Sequence, residues 1–136
     1  MTAELSQPRE RPTRVLIVDD FPAFRAGARS LLEENPGIEV VGEAEDGLSA
    51  TQLAETLHPD VVLMDVYISP VDGVAATRQI KALLPRTEII GLSAIPTPNV
   101  VAAMRQAGAR GFVPKGQIYE QLLPAIQEAI GSPFPQ

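Results

Sequence analysis

The chain has no cysteine among its 136 residues, so it forms no disulfide bond and offers no thiolate ligand to a metal. It contains no apolar run approaching the roughly 18 residues typical of a membrane span. Basic residues are the minority, 11 against 17 acidic ones, and the net charge of −6 argues against nucleic-acid binding by bulk electrostatics. Residues 1–12 lack the apolar stretch of a signal peptide. We therefore expect a cytoplasmic protein without direct contact to membranes or nucleic acid.

Hydrophobic residues make up 45% of the chain, enough for one domain with its own core. Composition divides the chain into a disordered N-terminal tail at 1–12, a domain at 13–131, and a C-terminal tail or linker start at 132–136.

Five short apolar runs alternate with segments of helical periodicity. The pattern predicts strands at 14–19, 38–44, 60–65, 87–93 and 110–113, and helices at 22–34, 48–57, 74–84, 99–107 and 118–130. Pro96 and Pro98 are expected to keep the loop before the fourth helix non-helical, and Pro124 is expected to kink the last helix or to remove a hydrogen bond to Glu120. Five β-α units with right-handed crossovers form a doubly wound α/β fold with a five-stranded parallel sheet.

Polar residues follow four of these strands directly. They are Asp19, Asp20, Asp65, Ser93 and Lys115. Ligands of open α/β sheets bind outside the carboxyl ends of the strands, so these side chains are expected to form one site. Three neighbouring carboxylates repel one another, and a hard divalent cation such as Mg²⁺ relieves that repulsion. One carboxylate could then accept a phosphoryl group, Lys115 would neutralise its oxygens, and Ser93 could donate a hydrogen bond to it.

Each residue alone also has an ordinary structural interpretation. The Asp19–Asp20 pair could cap the first helix, Asp65 could be a turn residue, and Lys115 a solvated charge. Their occurrence together at four strand ends favours a site. We interpret His58 as a loop or cap residue and Met64 and Met104 as core residues. The acidic residues at 43–46 are interpreted as a solvated loop.

Six segments carry a resemblance to a known family. They are VLIVDDFPAFRAG at 15–27, VGEA at 41–44, PDVVLMD at 59–65, DGVAAT at 72–77, LSA at 92–94 and GARGFVPK at 108–115. With them the chain resembles a CheY-like response-regulator receiver domain over about residues 14–130, most closely the receivers of NarL/FixJ-type (LuxR-family) regulators.

The resemblance implies a flavodoxin/CheY-like fold with strand order 2-1-3-4-5. It also implies a role for each site residue. Asp65 would be the phosphoacceptor, Lys115 the catalytic lysine, Ser93 and Phe112 the switch pair, and Asp19, Asp20, Asp65 and the main-chain carbonyl of Tyr67 the Mg²⁺ ligands.

The same resemblance implies partners and an output. A sensor histidine kinase would supply the phosphoryl group, and the domain would catalyse its own phosphorylation and dephosphorylation. Phosphorylation would control transcription if the full protein carries a DNA-binding domain, and a homodimer could form on phosphorylation.

The chain departs from the family pattern around the acceptor. Ser69 occupies the position of the usual proline and Pro70 follows it, so the loop at 66–70 is expected to have unusual geometry. Tyr67 is bulky at a position that flanks the incoming water in relatives. Gly116 replaces the proline that often follows the lysine, so no cis proline bond is expected there.

Three alternatives remain. A haloacid-dehalogenase-type phosphatase needs a second acid two residues after its nucleophile, where this chain has Tyr67. A dinucleotide-binding module needs a glycine-rich turn after the first strand, where Asp19 and Asp20 lie instead. A receiver-like module that acts without phosphate, through protein interactions, is the third alternative, and the altered loop after Asp65 is compatible with it.

Overall fold

A computed structural model describes residues 11–131. Residues 1–10 of the predicted N-terminal tail at 1–12, and the whole of the predicted C-terminal tail at 132–136, lie outside the described residues. The elements are, in order, β1 (Thr13–Val18), α1 (Pro22–Glu33), β2 (Ile38–Ala44), α2 (Gly47–Leu57), β3 (Val61–Asp65), α3 (Gly73–Leu83), β4 (Glu88–Ser93), α4 (Pro98–Ala107), β5 (Gly111–Pro114), a 3₁₀ turn (Lys115–Gln117) and α5 (Ile118–Ile130).

The five strands form one parallel sheet in the order β2-β1-β3-β4-β5, which confirms the predicted fold and strand order. The chain winds outward from β1 to β2 and then returns across β1 to β3. The order therefore reverses between β1 and β3, and the crevice at such a reversal is where ligands of this architecture bind. Asp19 and Asp65 lie at the carboxyl ends of these two strands.

Successive strand residues point to opposite faces, which gives two apolar layers. One layer contains Val15, Ile17 and Leu63 and packs against α1 and α5. The other contains Leu16 and Met64, the latter as predicted, and packs against α2, α3 and α4. Burial on both faces explains why the strands are continuous apolar runs rather than alternating ones.

Several local expectations were wrong in detail. Pro98 is the first residue of α4, because a proline at this position lacks only a donor that a helix start leaves unpaired anyway. The acidic run at 43–46 is a solvated loop only in part: Glu45 is exposed between β2 and α2, but Glu43 lies in β2, and Asp46 caps α2 by accepting a hydrogen bond from Ser49 N at 2.8 Å. His58 is confirmed as a cap residue, in the left-handed region at the end of α2.

Pro124 and Arg11 are both part of the ordered domain. α5 runs continuously through Pro124, whose missing N–H leaves the preceding turn without one hydrogen bond. Arg11, inside the predicted tail, has a guanidinium group that pairs with Asp60 at 2.8 Å.

The loop between β3 and α3 has the unusual geometry that its sequence predicted. The Ser69–Pro70 bond is cis, and Val71 has a φ of 61°. A β-branched residue rarely adopts a positive φ, so Val71 is held there by its surroundings. Gly47 is one such contact, because a Cβ at this residue would collide with the main-chain carbonyl oxygen of Val71.

We expect Gly47→Ala to destabilise the protein by about 1–3 kcal/mol, because the new methyl group must displace a main-chain carbonyl. Gly27→Ala is the matched control. A Cβ at Gly27 in α1 would have nothing within 4 Å, so this change is expected to stabilise the protein by about 0.5–1 kcal/mol. Urea denaturation measures both. Equal stability of the two variants would contradict the tight contact between Gly47 and Val71.

Candidate functional site

Three carboxylates meet at the carboxyl edge of the sheet. Asp19 and Asp20 follow β1 and Asp65 ends β3, and one carboxylate oxygen of each lies within 4.8 Å of the others. Asp19 and Asp65 are buried, whereas Asp20 is exposed. The structure therefore brings together the three acids that the sequence selected, with one side of the cluster open to solvent.

Asp19 is held by several groups. Its main-chain N–H donates to the carbonyl of Ala44 at 3.0 Å, and its Oδ1 accepts a hydrogen bond from the N–H of Phe21 at 2.8 Å. Its Oδ2 is fully buried, without a hydrogen bond of good geometry from residues 11–131, and contacts the ammonium of Lys115 at 2.5 Å. The N-cap of α1 is Phe21, and no side-chain cap is present there, so the pair Asp19–Asp20 does not cap the helix.

Lys115 follows β5 and reaches across the sheet edge to both buried acids. Its Nζ lies 2.5 Å from Asp19 Oδ2 and 3.3 Å from Asp65 Oδ2. The same ammonium lies 4.8 Å from the ring centroid of Phe24, a cation–π contact. The sequence indicated only a buried helix face for Phe24; that the face lies under Lys115 depends on how α1 packs.

The environment of Asp65 disfavours its charged form. Burial raises the pKa of Asp65, and the negative charge of Asp19 raises it further, while Lys115 and the N–H of Tyr67 oppose the change. That N–H lies 3.3 Å from Asp65 Oδ1. Burial and the neighbouring carboxylate therefore outweigh the stabilisation that the lysine and the N–H give to the charged form of Asp65.

This pKa shift predicts how stability depends on pH. A carboxyl group whose pKa is raised by folding favours the folded state below its unfolded pKa, and this contribution is lost as pH rises through the folded pKa. Without metal, we expect Asp65→Asn to be more stable than the wild type at neutral pH, by roughly 1 kcal/mol. The difference should vanish near and below the ordinary Asp pKa of about 4.

Urea midpoints in EDTA across this pH range measure the difference. Asp46→Asn is a control of opposite sign, because hydrogen bonds from Ser49 lower the pKa of Asp46. Its carboxylate stabilises the folded state above the unfolded pKa, so this variant should lose stability at neutral pH. A wild type that is more stable than Asp65→Asn at neutral pH in EDTA would contradict the expectation for Asp65.

Ser93 ends β4 and Phe112 lies in β5, the two strands that follow β3 in the sheet. Ser93 is buried one residue beyond Leu92, the register partner of Asp65, and its Oγ accepts a hydrogen bond from the N–H of Ile95 at 3.1 Å. Phe112 is half-buried over Gly91, where a Cβ would lie 2.7 Å from its ring. The absence of a side chain at Gly91 thus provides the space that this ring occupies.

Three large apolar side chains are exposed in the loops at the carboxyl edge of the sheet. Phe21, Tyr67 and Ile95 follow β1, β3 and β4, and they are 61%, 61% and 72% exposed. The sequence marked Tyr67 as a bulky residue close to the acceptor and contained Phe21 in the first motif, but it gave no signal for Ile95, which comes two residues after Ser93. These three side chains give the edge of the sheet that carries the acids an exposed apolar surface.

The donor set suits a hard divalent cation. Carboxylate oxygens are the ligands that Mg²⁺ prefers, and the exposed position of Asp20 leaves room for the water molecules that Mg²⁺ retains. A cation here would also compensate the charge of Asp19, which adds to burial in raising the pKa of Asp65.

Within residues 11–131, every helix is too short or too polar to cross a lipid bilayer.

Comparisons with known proteins agree with this geometry. Residues 15–127 match the family described as response regulator receiver domain. The chain is 40% identical over 120 residues to the nitrate/nitrite response regulator protein NarP of Escherichia coli, covering 88% of this chain and 56% of NarP. It is 39% identical over 116 residues to the transcriptional regulatory protein LiaR of Bacillus subtilis, covering 85% of this chain and 55% of LiaR.

A solved structure gives the same result for the fold. The signal receiver domain of the putative response regulator NarL from Mycobacterium tuberculosis superposes with a TM-score of 0.84 at 31% identity, covering 90% of this chain and 99% of that one. The chain spans about half the length of the curated relatives it matches. On the match over residues 15–127 and this likeness, the chain belongs to the response regulator receiver domains of two-component systems.

Proposed function

We propose that Asp65 accepts a phosphoryl group from the phosphohistidine of a sensor histidine kinase, in the presence of Mg²⁺. The observation that carries this proposal is the position of Lys115, whose ammonium contacts both buried acids, at 2.5 Å and 3.3 Å. A cation between a nucleophilic carboxylate and its neighbour is placed to neutralise the oxygens of an incoming phosphoryl group.

In the proposed reaction an Asp65 carboxylate oxygen attacks phosphorus. The new P–O bond forms as the P–N bond of the phosphohistidine breaks, and the histidine nitrogen keeps the electron pair. Asp19, Asp20, Asp65 and the main-chain carbonyl of Tyr67 would hold Mg²⁺, which supplies positive charge to the phosphoryl oxygens when bound. Hydrolysis of the acyl phosphate by water returns the domain to its starting state.

The proposed switch uses Ser93 and Phe112. The Ser93 hydroxyl would leave the N–H of Ile95 and donate a hydrogen bond to the phosphoryl group. Phe112, half-buried over Gly91, would then move further inward and change the surface formed by α4, β5 and α5. Phosphorylation thereby shifts a balance between two local arrangements, which is the form that such switches take.

The output and location are also proposals. NarP is a nitrate/nitrite response regulator protein and LiaR a transcriptional regulatory protein, and the chain covers about half of each. We propose that the receiver controls transcription through a further domain of the whole protein, and that phosphorylation promotes a homodimer. Phosphoryl transfer from a sensor kinase implies a cytoplasmic location for the domain, and its net charge of −6 favours protein rather than nucleic-acid contacts.

A receiver-like interaction module that acts without phosphate is the second candidate. The loop that follows Asp65 favours it, because Ser69 replaces the usual proline and Val71 is held at a φ of 61°. This loop carries the proposed Tyr67 ligand, so its conformation bears directly on metal binding and phosphorylation.

The mass of the intact protein after incubation with acetyl phosphate distinguishes the two functions. We expect a gain of one phosphoryl group that requires Mg²⁺ and disappears when EDTA is added beforehand. The matched control replaces acetyl phosphate with acetate. An unchanged mass at every Mg²⁺ concentration would reject the phosphoacceptor proposal and leave the interaction module.

A further inference from the structure

Arg25 connects the acid cluster to the edge of the sheet. It lies in the first turn of α1, five residues after Asp20, and its side chain is 17% exposed. Its Nη1 donates to the main-chain carbonyl of Asp19 at 2.6 Å, and its Nε donates to Glu43 Oε1 at 2.9 Å. One guanidinium group therefore joins the loop that carries the acids to a fixed carboxylate on β2.

Glu43 is itself fixed from two sides. Its second oxygen accepts a hydrogen bond from Arg29 Nε at 2.7 Å, and its residue pairs in register with Ile17 of β1. Hydrogen bonds from Arg29, and secondarily from Arg25, lower the pKa of Glu43, which therefore stays charged at neutral pH. The planar guanidinium of Arg25 is thus held in one orientation by two hydrogen bonds. The ammonium of a lysine, on its flexible chain, would not be held in this way.

The carbonyl of Asp19 belongs to the peptide group that leads to Asp20. The N–H of Asp19 is fixed by Ala44 and its Oδ1 by the N–H of Phe21. The bond from Arg25 fixes the peptide plane before Asp20, and the bond from Phe21 N–H to Asp19 Oδ1 fixes the plane after it, so together they set the direction in which the Cα–Cβ bond of Asp20 leaves the chain. Asp20 is the exposed acid of the cluster, without the packing that holds Asp19 and Asp65.

We propose that Arg25, anchored by Glu43, is a positioning residue for the cation site. By holding the Asp19–Asp20 peptide it orients the carboxylate of Asp20 toward the cluster before the cation binds. This inference rests on the proposed function only in taking Asp20 as a Mg²⁺ ligand. Removing a residue that orients a metal ligand without touching the metal typically lowers metal affinity about 10–100-fold.

The test is a titration with MgCl₂ alone, followed by the amide resonances of ¹⁵N-labelled protein, with the melting temperature of each variant measured in EDTA. We expect Arg25→Gln to raise the dissociation constant for Mg²⁺ about tenfold and to shift the Asp20 amide resonance in the metal-free protein. Arg29→Gln is the matched control. It removes the other arginine from Glu43 on the same helix but does not touch Asp19, so less than about a twofold change is expected.

Two further variants separate positioning from charge and from folding. Arg25→Lys keeps the charge but loses the paired donors, so binding should stay weak; recovery of wild-type affinity in this variant would overturn the positioning role. Glu43→Gln leaves Arg25 in place but weakens its anchor, and it is expected to raise the dissociation constant less than Arg25→Gln. It also provides a folded test if Arg25→Gln does not fold.

The remaining outcomes are equally decisive. Wild-type affinity in both Arg25→Gln and Glu43→Gln, or an equal loss in Arg25→Gln and Arg29→Gln, would overturn the inference while the proposed function stands. Failure of the wild type to bind Mg²⁺, or wild-type affinity in Asp20→Ala, would instead reject the proposed metal site, and the inference with it.

Discussion

Asparagine in place of Asp65 is expected to abolish phosphoryl uptake from acetyl phosphate and to leave the protein folded. The substitution removes the nucleophilic oxygen but conserves the shape of the side chain in its buried position. An amide is a much weaker nucleophile than a carboxylate, so no acyl phosphate should form. The mass of the intact protein, measured with Mg²⁺ present, should remain that of the unmodified chain.

The matched control makes the same chemical change beside the other end of β3. Asp60→Asn alters a carboxylate that pairs with Arg11 and accepts a hydrogen bond from the N–H of Arg14, away from the acid cluster. It should keep phosphoryl uptake, with a loss of stability at most. Uptake in Asp65→Asn equal to that of the wild type would show that another residue is the acceptor.

The position of the site could be predicted from the sequence because it depends on topology alone. Buried parallel strands appear as apolar runs, and the residue that follows each run lies at the carboxyl edge of the sheet. This reasoning brought Asp19, Asp20 and Asp65 together without knowledge of side-chain conformations, and the structure confirms that they are neighbours.

The contacts around the acids could not be predicted in the same way. Phe24 and Arg25 are adjacent in α1, yet one lies beneath Lys115 and the other bonds to Asp19. Which neighbour meets which group depends on the rotation of α1 against the sheet, which the apolar stripe defines only to within about one residue. The sequence favoured a packing role for Phe24 and gave no signal for Arg25.

Proline positions illustrate a second limit. A proline before a helical pattern is compatible both with a loop and with the first residue of the helix. Pro22 was predicted to open α1 and does so, whereas Pro98 was predicted to lie in a loop and instead opens α4. The deciding feature is the side chain of Thr97, which accepts a hydrogen bond from Val100 N. Thr97 is thereby the N-cap of α4, and Pro98 is the first residue of the helix.

Methionine in place of Lys115 is expected to be the most destabilising single change at the site. It leaves Asp19 Oδ2, which is buried and paired with this ammonium at 2.5 Å, without its partner. It also removes the positive charge between Asp19 and Asp65, whose mutual repulsion contributes to the raised pKa of Asp65. Breaking a buried ion pair from one side typically costs about 3–5 kcal/mol, and we expect roughly 3 kcal/mol here because Lys115 is partly accessible.

The double variant Lys115→Met with Asp19→Asn tests whether the loss arises from the orphaned charge. Removing both partners should restore much of the stability, because no uncompensated carboxylate remains at Asp19. Urea denaturation in EDTA measures the four proteins of this cycle. A double variant no more stable than Lys115→Met alone would assign the loss to packing of the lysine chain, for example over Phe24, rather than to the charge.

The stability of Lys115→Met should also depend on the proposed cation. If Mg²⁺ binds the acid cluster, it can supply the positive charge that Lys115→Met has lost, so Mg²⁺ should stabilise this variant more than the wild type. The double variant, with one acid fewer, should gain less. A cation bound within the cluster interacts directly with Lys115 and Asp19, so its effect on stability must change when these residues are replaced. Equal stabilisation of all four proteins would therefore place the bound cation elsewhere on the domain.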